Sequence, residues 1–380
     1  MKILVTGGAG FIGSWLVEGL LEEGHSVTVV DSLSPQVHGA VPQLDLGWLR
    51  DGTVEFVRGD IRDHQLMDEV LGRVEAVVHL AAETGTGQSM YRIGHYYAVN
   101  QQATAELFEA IGTRHRHIRR VVLASSRSIY GEGAYRLGER TLVPQPRDAQ
   151  RMKAGQFEPS GPGGEALELV PTPETVTPRP ASVYAATKLA NETLGRIFSD
   201  AYGVPVIALR FQNVYGERQS LQNPYTGILS IFSNRMRKNL PINIFEDGLE
   251  SRDFVHVSDV VGAIGLALSR PLPGFHAINV GSGVPASVLD VAKSLREILA
   301  SSSEFTVTGD FRAGDIRHCY ADLGRARELL GFNPQVSLTE GLTRFCRWVE
   351  TQPVLVDRSG KAMDELARLG LGSTEGGTPS

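Results

Sequence analysis

Short apolar runs alternate with helix-length segments through the first half of the 380-residue chain. The runs KILVT (Lys2–Thr6) and SVTVVD (Ser26–Asp31) predict strands, and the segment FIGSWLVEGLLEEG between them carries apolar residues at helical spacing. The alternation continues through TVEFVRGD, DHQLMDEVLG, VEAVVHLAA, residues 91–111 and RRVVLASS. Strands separated by helices favour right-handed crossovers between parallel strands. The pattern therefore predicts an α/β fold with a doubly wound parallel sheet.

The alternation breaks at residues 133–180, which are rich in Pro, Gly, Arg and Glu and show no sustained apolar period. This composition predicts a long insertion. Regular elements resume with a helix at SVYAATKLANETLGRIFSDAYG and a strand at VPVIALRF. We predict a first domain over 1–212, a smaller α/β lobe over 213–350 that mixes with it, and a C-terminal helix and disordered tail over 351–380.

Composition and charge narrow the classes of function. The chain is 42% hydrophobic and 21% charged, as globular proteins are, and its formal net charge of -6 offers no basic surface for nucleic acid or an anionic membrane. No apolar stretch approaches the roughly 18 residues of a membrane span. Cys319 and Cys346 show no CxxC spacing. We expect a cytoplasmic protein with no metal site and no nucleic-acid or membrane partner.

The segment TGGAGFIG carries the first chemical signal. Gly7, Gly10 and Gly13 lie between the first strand and the first helix, where a tight turn lets the backbone approach a pyrophosphate and helix amides receive its charge. Asp31 ends the second strand, where a carboxylate binds an adenosine ribose and repels a 2′-phosphate. These features favour NAD over NADP and predict a Rossmann-like, dinucleotide-binding first domain. The alternative is that the glycines only pack a helix on a sheet.

The segment SVYAATK carries the second signal, because Tyr184 and Lys188 at i and i+4 share one face of a helix. An ammonium beside a phenol favours the phenolate and lowers the tyrosine pKa from about 10 toward the range of a general base. Such pairs are common by chance. Here a glycine turn precedes the pair, and Ser126 ends a strand predicted to lie beside it. Its hydroxyl can bond the same substrate oxygen as Tyr184, although it can also simply form a strand-end turn.

Together these motifs resemble the extended short-chain dehydrogenase/reductases, and within them the NAD-dependent nucleotide-sugar epimerases and dehydratases. The resemblance covers about residues 1–350 and rests on segments that follow the family's order: TGGAGFIG, GDIRD, HLAA, YAVN, SSRSIYG, YAATK, LRFQNVYG, SRDFVHVSDVV and RAGDIRHCYAD. It implies NAD as the cofactor. It also implies Ser126, Tyr184 and Lys188 as the catalytic residues.

The resemblance further implies two sets of binding residues. Those at the cofactor are Gly7, Gly10, Phe11, Ile12, Gly13, Asp31, Ser32, Asp60, Ile61, Leu80, Ala81, Ala82, Asn100, Tyr184 and Lys188. Those at the substrate are Glu83, Thr84, Thr86, Ser89, Ser126, Arg127, Ser128, Asn213, Phe245, Arg252, Arg312 and Asp315. Arg252 and Arg312 would grip a diphosphate. Phe245 would stack on the base or equally fill a core, and Asp60 would meet the adenine edge or cap a helix.

The pair Arg127 and Ser128 narrows the choice among the reactions that these enzymes catalyse. In the dehydratases that the chain resembles, Asp and Glu follow the catalytic hydroxyl as acid and base, and the 3,5-epimerases use a cysteine at the second of these positions. Arg127 and Ser128 can do neither task near neutral pH. The resemblance therefore favours inversion of C4 of a nucleotide-diphosphate sugar through a transient 4-ketosugar. A NAD-dependent 4-ketoreductase or dehydrogenase stays open, and a non-catalytic NAD-sensing module is the remote alternative.

Finer likenesses concern the substrate, the insertion and the oligomer. The segments DSLSPQVHG, TGTGQSMY and RQSLQNPYTGILSIF resemble epimerases of deoxysugar nucleotides such as dTDP-L-rhamnose, with UDP- and dTDP-linked sugars both open. The insertion is expected to cover the sugar pocket and help set specificity. The helices over 91–111 and 182–202 resemble a pair that forms a four-helix dimer interface. We therefore predict a homodimer, with ordinary sheet-covering helices as the alternative.

Overall fold

The computed structural model describes residues 1–39, 42, 44, 46–221, 227–311, 315–354 and 368–369. Its strands are β1 (Lys2–Thr6), β2 (Ser26–Asp31), β3 (Glu55–Arg58), β4 (Ala76–His79), β5 (Arg120–Ser126), β6 (Tyr135–Leu137), β7 (Arg140–Leu142), β8 (Glu168–Leu169), β9 (Val206–Phe211), β10 (Asn213–Tyr215), β11 (Ile242–Ile244), β12 (Ser251–His256), β13 (Phe275–Val280), β14 (Pro285–Ser287), β15 (Phe305–Val307) and β16 (His318–Cys319).

Its α-helices are α1 (Phe11–Glu22), α2 (Pro35–His38), α3 (Gly47–Arg50), α4 (His64–Leu71), α5 (Thr86–Ser89), α6 (Ile93–Tyr96), α7 (Ala103–Thr113), α8 (Ala149–Lys153), α9 (Val183–Tyr202), α10 (Ile228–Met236), α11 (Val257–Ser269), α12 (Val288–Ile298), α13 (Gly324–Leu330) and α14 (Leu338–Thr351). A π-helical segment, Tyr97–Gln102, joins α6 to α7, and a 3₁₀ turn, Arg127–Tyr130, follows β5.

Seven parallel strands form the central sheet, in the order β13-β9-β5-β4-β1-β2-β3. The reversal between β1 and β4 is the switch point of a doubly wound sheet, so the predicted α/β, Rossmann-like fold is confirmed. The carboxyl ends of β1, β2, β4, β5 and β9 meet at one edge. There Thr6 pairs with His79, and Ser126 pairs with Phe211.

Helices cover both faces of this sheet. On one face Ile3 and Val5 of β1 pack in a core with α1 and α11, and on the other Leu4 packs in a core with α4, α7 and α9. Successive β1 side chains thus enter opposite cores, as the two-residue period of a strand requires. This two-sided burial explains why KILVT reads as an unbroken apolar run.

The smaller lobe is built from short elements around a separate core. Strands β10, β12, β14 and β16 form one sheet, β11 pairs with β15, and α10, α12 and α14 pack on them. Because β13 belongs to the central sheet, residues after 213 contribute to both the central sheet and the smaller lobe. The domain bounds 1–212 and 213–350 stay a prediction.

The insertion contains regular structure that the sequence did not indicate. Strands β6, β7 and β8 form an antiparallel sheet, and α8 begins after Asp148, whose carboxylate caps it. A further bridge pairs Thr172 with Ala321 of the smaller lobe. Each strand is only two or three residues long, too short to show a two-residue period.

At the C-terminal end, α14 stops at Thr351 and the chain is described through residue 354 and again at 368–369. The predicted tail GSTEGGTPS lies outside the described residues. In the described part of the chain, no helix is both long and apolar enough for a membrane crossing.

Candidate active site

The turn between β1 and α1 depends on close backbone approaches. Gly7 has a φ of 71°, and a Cβ on it would lie 2.8 Å from the backbone nitrogen of Ala81. A Cβ on Gly13 would lie 2.2 Å from the carbonyl oxygen of Gly7. The helix then begins directly after Gly10, so its unpaired amides face a potential phosphate at Phe11, Ile12 and Gly13.

We expect Gly13→Ala to lower the NAD that co-purifies with the protein by about tenfold or more, because the added methyl overlaps the Gly7 carbonyl and distorts the turn. Acid release and quantification of bound dinucleotide per chain measures this. The control is Gly262→Ala in α11, where a Cβ meets nothing within 4 Å. Equal NAD content in the two variants would contradict the assignment of this turn.

Asp31 ends β2 and is held by backbone amides on both sides. One carboxylate oxygen accepts from Ala9 N at 3.0 Å and the other from Leu33 N at 2.8 Å. His38, which the sequence analysis missed, lies 3.8 Å from the second oxygen, and burial lowers the pKa of its ring. Ser32 is exposed beside this carboxylate. The side chain predicted to bind the ribose is therefore oriented before any ligand arrives.

Asp60 and Ile61 follow β3. The Asp60 carboxylate binds the guanidinium of Arg62 at 2.9 and 2.7 Å, and this bond lowers the pKa of Asp60. The cap of the next helix, α4, is Asp63, whose side chain accepts from Leu66 N. Asp60 is thus free of the capping role that was its alternative.

The residues after β4 run against the glycine turn. Leu80 N donates to the Thr6 carbonyl at 3.1 Å, and Ala81 N donates to the Thr6 hydroxyl at 3.3 Å, with Ala82 next in the chain. Buried Asn100 lies in the π-helical segment. Its Oδ1 accepts from Glu83 N at 2.8 Å, and its Nδ2 donates to the Glu83 carbonyl at 3.0 Å. Asn100 therefore fixes the start of the loop predicted to face the sugar.

That loop is tied to the helix that carries Tyr184. The Tyr96 hydroxyl donates to the Thr84 carbonyl at 2.6 Å, and the Ser89 hydroxyl donates to the Thr86 carbonyl at 2.6 Å. The Ser89 hydroxyl also accepts from Tyr184 N at 3.0 Å. Of the four predicted substrate residues in this loop, Glu83, Thr84, Thr86 and Ser89, it is Ser89 that bonds directly to the start of α9.

The three predicted catalytic residues come together where β5 meets α9. Ser126 is the last residue of β5, and its hydroxyl interacts with the phenol of Tyr184. Lys188, one turn along α9, lies with its Nζ 5.8 Å from the centre of the Tyr184 ring. Its Nζ donates to the Ala124 carbonyl at 2.9 Å. The structure thus brings the three side chains together, and their catalytic role stays a prediction.

The protonation of Tyr184 differs from the sequence-based expectation. Burial raises the pKa of its phenol, while the Ser126 hydroxyl and the charge of Arg127 act in the opposite direction. Lys188 is buried, and burial lowers its pKa to about 8. The prediction that the ammonium of Lys188 lowers the pKa of Tyr184 is not met, because desolvation outweighs the Ser126 hydroxyl and the charge of Arg127.

We expect the stability of the protein relative to its Lys188→Met variant to rise by about 3 kcal/mol between pH 8 and 10.5. Because the folded amine releases its proton at lower pH than the unfolded one, the unfolded state binds more protons across this window. Stability therefore increases with pH there. Urea unfolding at several pH values measures the difference, with exposed Lys293→Met as the control. A gap that does not vary with pH would show that the amine is not desolvated.

Arg127 and Ser128 occupy the 3₁₀ turn that follows Ser126. The Ser128 hydroxyl donates to the Ser126 hydroxyl at 2.9 Å. The Nη1 atom of Arg127 is buried and, within the described part of the chain, has no hydrogen-bond partner. Burial and the nearby charge of Arg252 lower the pKa of Arg127. Two neighbouring guanidinium groups of this kind favour an anionic ligand.

Arg252 lies on β12 and donates to the carboxylate of Asp315 at 3.4 Å. Asn213 begins β10 beside the sheet edge, and its buried Oδ1 finds no partner among the described residues. Phe245 is half-buried and directly follows β11, rather than standing inside it. Arg312 lies outside the described residues, so its place in the diphosphate site stays a prediction.

A buried polar network behind the triad was not predicted. Arg210 binds both carboxylate oxygens of Glu192 at 2.9 and 2.7 Å, Glu192 accepts from the Ser125 hydroxyl, and Arg210 donates to Tyr130 at 2.8 Å. Helical spacing from Tyr184 through Lys188 could have placed Glu192 on the same face. No local signal pairs Glu192 with Arg210, which lies on strand β9.

Within the residues that the structure describes, no group of three or more His, Cys, Asp or Glu side chains could hold a metal ion. Histidines near strand ends bond to other side chains instead. His79 lies between Thr6 and Thr104, at 2.8 and 3.0 Å, and burial lowers its pKa to about 3.

The chain is similar to known proteins over most of its length. The model of the NAD dependent epimerase/dehydratase family matches residues 3–151 and 155–281. The dTDP-L-rhamnose 4-epimerase of Burkholderia thailandensis is 39% identical over 353 residues, 92% of this chain and 94% of that one. The structure of the UDP-glucose 4-epimerase of Thermotoga maritima with UDP-glucose is similar with a TM-score of 0.73 at 30% identity, covering 92% of this chain and 99% of that one. The UDP-glucuronic acid 4-epimerase of Bacillus cereus, in complex with UDP-glucuronic acid and NAD, gives 0.75 at 27% identity with the same coverage.

Proposed function

The chain belongs to the NAD-dependent epimerase/dehydratase family, and we propose that it inverts C4 of a nucleotide-diphosphate sugar through a transient 4-ketosugar. It is an NAD-dependent enzyme of the isomerase class that acts on carbohydrates. The observation that carries this choice is the turn after Ser126. Its next two residues are Arg127 and Ser128, so neither position offers the carboxyl acid and base of a dehydratase.

The residues present fit NAD. A Cβ would fill the cradle at Gly13, and Asp31 is oriented by two amides toward that turn. We propose that the glycine turn holds the pyrophosphate and Asp31 the adenosine ribose, with Lys188 at the nicotinamide ribose. When bound there, NAD would supply the acceptor and then the donor of the hydride that is exchanged with the sugar carbon.

The chain's own groups move the proton and hold the substrate. Tyr184 accepts the proton of the 4-hydroxyl as C4 is oxidised, and Ser126 bonds the oxygen that becomes a carbonyl. Burial raises the pKa of the Tyr184 phenol and so favours its protonated form. The positive charge of Arg127 lowers that pKa and so helps the phenol to release its proton. Arg252 and Arg312 anchor the diphosphate while the ketosugar turns over. Tyr184 then returns the proton after reduction from the other face.

The test is turnover without added cofactor. Purified protein is incubated with a panel of UDP- and dTDP-sugars in normal and deuterated water. Inversion at C4 without solvent deuterium uptake is expected, since the same hydride leaves and returns. Stoichiometric NADH consumption with a ketosugar would instead establish a reductase, and deuterium uptake would establish proton chemistry beside a ketone. NAD binding with no turnover on any sugar would favour a sensing module.

Within the panel we propose dTDP-linked 6-deoxysugars as the preferred substrates. The support is the 39% identity to a dTDP-L-rhamnose 4-epimerase over most of both chains. The relevant measurement is kcat/KM for dTDP-L-rhamnose against UDP-glucose. A preference of the enzyme for UDP-glucose would reject this substrate class and leave the reaction class standing.

We also propose that the enzyme is a homodimer. The outer face of α9 borders a shallow groove of about 460 Å³, lined by Pro180, Ala186, Leu189, Ala190, Thr193, Leu194 and Ile197. Ile197 is 52% exposed, and Ile93 and Tyr97 are similarly exposed on the adjacent helical stretch. Light scattering should give the mass of two chains, and Ile197→Glu should shift it to one. The control Val307→Glu, at a similarly exposed aliphatic side chain, should stay dimeric.

We place the enzyme in the reducing cytoplasm. Both cysteines, Cys319 and Cys346, are free and buried, and burial raises the pKa of both thiols. A nucleotide-sugar substrate also fits that compartment. Fractionation of the source cells would test the proposal, and recovery of the enzyme outside the cytoplasm would contradict it.

A further inference from the structure

The guanidinium of Arg252 is oriented almost entirely by backbone oxygens. Its Nη1 donates to the carbonyls of Ser251 and Arg317, both at 2.9 Å, and its Nη2 donates to the carbonyl of Ile316 at 2.8 Å. The fourth acceptor is the Asp315 carboxylate at 3.4 Å. Three of these four acceptors belong to residues 315–317. The direction in which Arg252 presents its charge therefore depends on where that short segment lies.

The insertion and its base hold this segment from the other side. Glu132, the residue before the insertion, accepts from Arg317 N with both carboxylate oxygens, at 2.8 and 2.9 Å. Arg147, inside the insertion, donates to the Asp315 carbonyl at 2.9 Å. Both side chains are nearly buried, at 6% and 4% exposure. The segment is thus fixed at both ends by charged groups that are not part of the smaller lobe.

A second layer of ion pairs secures Arg147 and Arg317. Arg147 also binds Glu246 at 2.8 Å, and the fully buried side chain of Arg317 binds Glu246 at 2.9 Å. Glu158 of the insertion closes the cluster, at 2.7 Å from Arg317. Removing one of the buried members, Arg147, Arg317 or Glu246, leaves an unpaired charge, so the remaining groups would move to find new partners.

We propose that the insertion is a brace that positions Arg252 for the substrate diphosphate, with Glu132 and Arg147 as positioning residues that act through residues 315–317. This rests on the proposed function in one respect, that Arg252 binds a nucleoside diphosphate. It differs from the expectation that the insertion covers the sugar. The brace acts on the part of the substrate that all nucleotide sugars share, so its loss weakens binding without changing which sugar is preferred.

The experiment measures binding of UDP and dTDP, which lack the sugar that a nucleotide sugar carries on its diphosphate, to the NAD-loaded full chain by calorimetry. Arg147→Met should weaken both by about tenfold or more, and Glu132→Gln, which keeps one carbonyl acceptor, should weaken both by a smaller factor. KM for the sugar nucleotide should rise by similar factors while kcat stays within about twofold, because uniform binding is lost. The matched control is Arg136→Met, which breaks an exposed pair with Glu168 inside the insertion and should leave all values unchanged.

Several results would overturn the brace. One is unaltered UDP and dTDP binding in both variants, with a changed sugar preference, which would return the insertion to a sugar-covering role. Another is loss of bound NAD in both variants, since a brace on Arg252 should act on one site only. Failure of the unaltered protein to bind either diphosphate would also reject it. Absence of epimerisation together with normal diphosphate binding would reject the proposed reaction and leave the brace intact.

Discussion

Tyr184→Phe should lower kcat by about three orders of magnitude and leave the amount of bound NAD unchanged. The phenylalanine ring keeps the packing of the helix start but has no oxygen to accept the 4-hydroxyl proton. Ser126 alone cannot replace it, because an ordinary hydroxyl is too weak a base. The measurement is kcat on the best sugar of the panel, with NAD content determined on the same preparation.

The matched control for this variant is Tyr202→Phe at the other end of α9, where the ring is 42% exposed. It should retain full kcat. If Tyr184→Phe kept more than about a tenth of the activity, the phenol would not be the proton acceptor, since general base catalysis contributes at least about 10²-fold. The triad assignment would then fail even if NAD still bound.

Arg210→Met should lower the free energy of unfolding by about 3–5 kcal/mol, because it leaves the buried carboxylate of Glu192 without its cation. Both side chains are less than a tenth exposed, and Arg210 binds both carboxylate oxygens. Urea denaturation followed by circular dichroism gives the value. The control is Arg196→Met on α9, the helix that carries Glu192, which breaks an exposed pair with Asp200 and should cost about 1 kcal/mol or less.

The double variant Glu192→Met with Arg210→Met sharpens this prediction. Replacing both members of a buried pair with apolar side chains removes the unpaired charge, so part of the lost stability should return. The return should be incomplete, because Ser125 and Tyr130 lose their partners in the network. A double variant less stable than the single one would show that the pair does not act as a unit.

The sequence was sufficient where structure depends on local pattern. The apolar runs at 2–6 and 26–31 became β1 and β2 with those bounds, since strands buried on both faces need continuous apolar residues. The insertion could not be predicted in this way. Strand β8 pairs with β6 across more than 30 residues of chain, β6 and β7 form a local hairpin of only three residues a strand, and α8 depends on the single cap Asp148.

The same distinction applies to the candidate site. The four-residue spacing of Tyr184 and Lys188 was enough to place them together on one helix face. The net pKa shift of the phenol was not accessible from spacing, because it depends on burial and on Arg127 from the end of another strand. Likewise, nothing in the segment around Arg252 reveals that residues more than 60 positions away accept its hydrogen bonds.

The burial of both thiols has a practical consequence for studying the insertion in solution. Cys346 has its pKa raised to about 12, and Cys319 is fully enclosed, so neither should react with maleimide dyes near neutral pH. A cysteine introduced at exposed Lys153 of α8 would then be the selectively labelled site without any prior removal of native cysteines. A fluorophore there would report directly on the segment that faces the smaller lobe while the enzyme turns over.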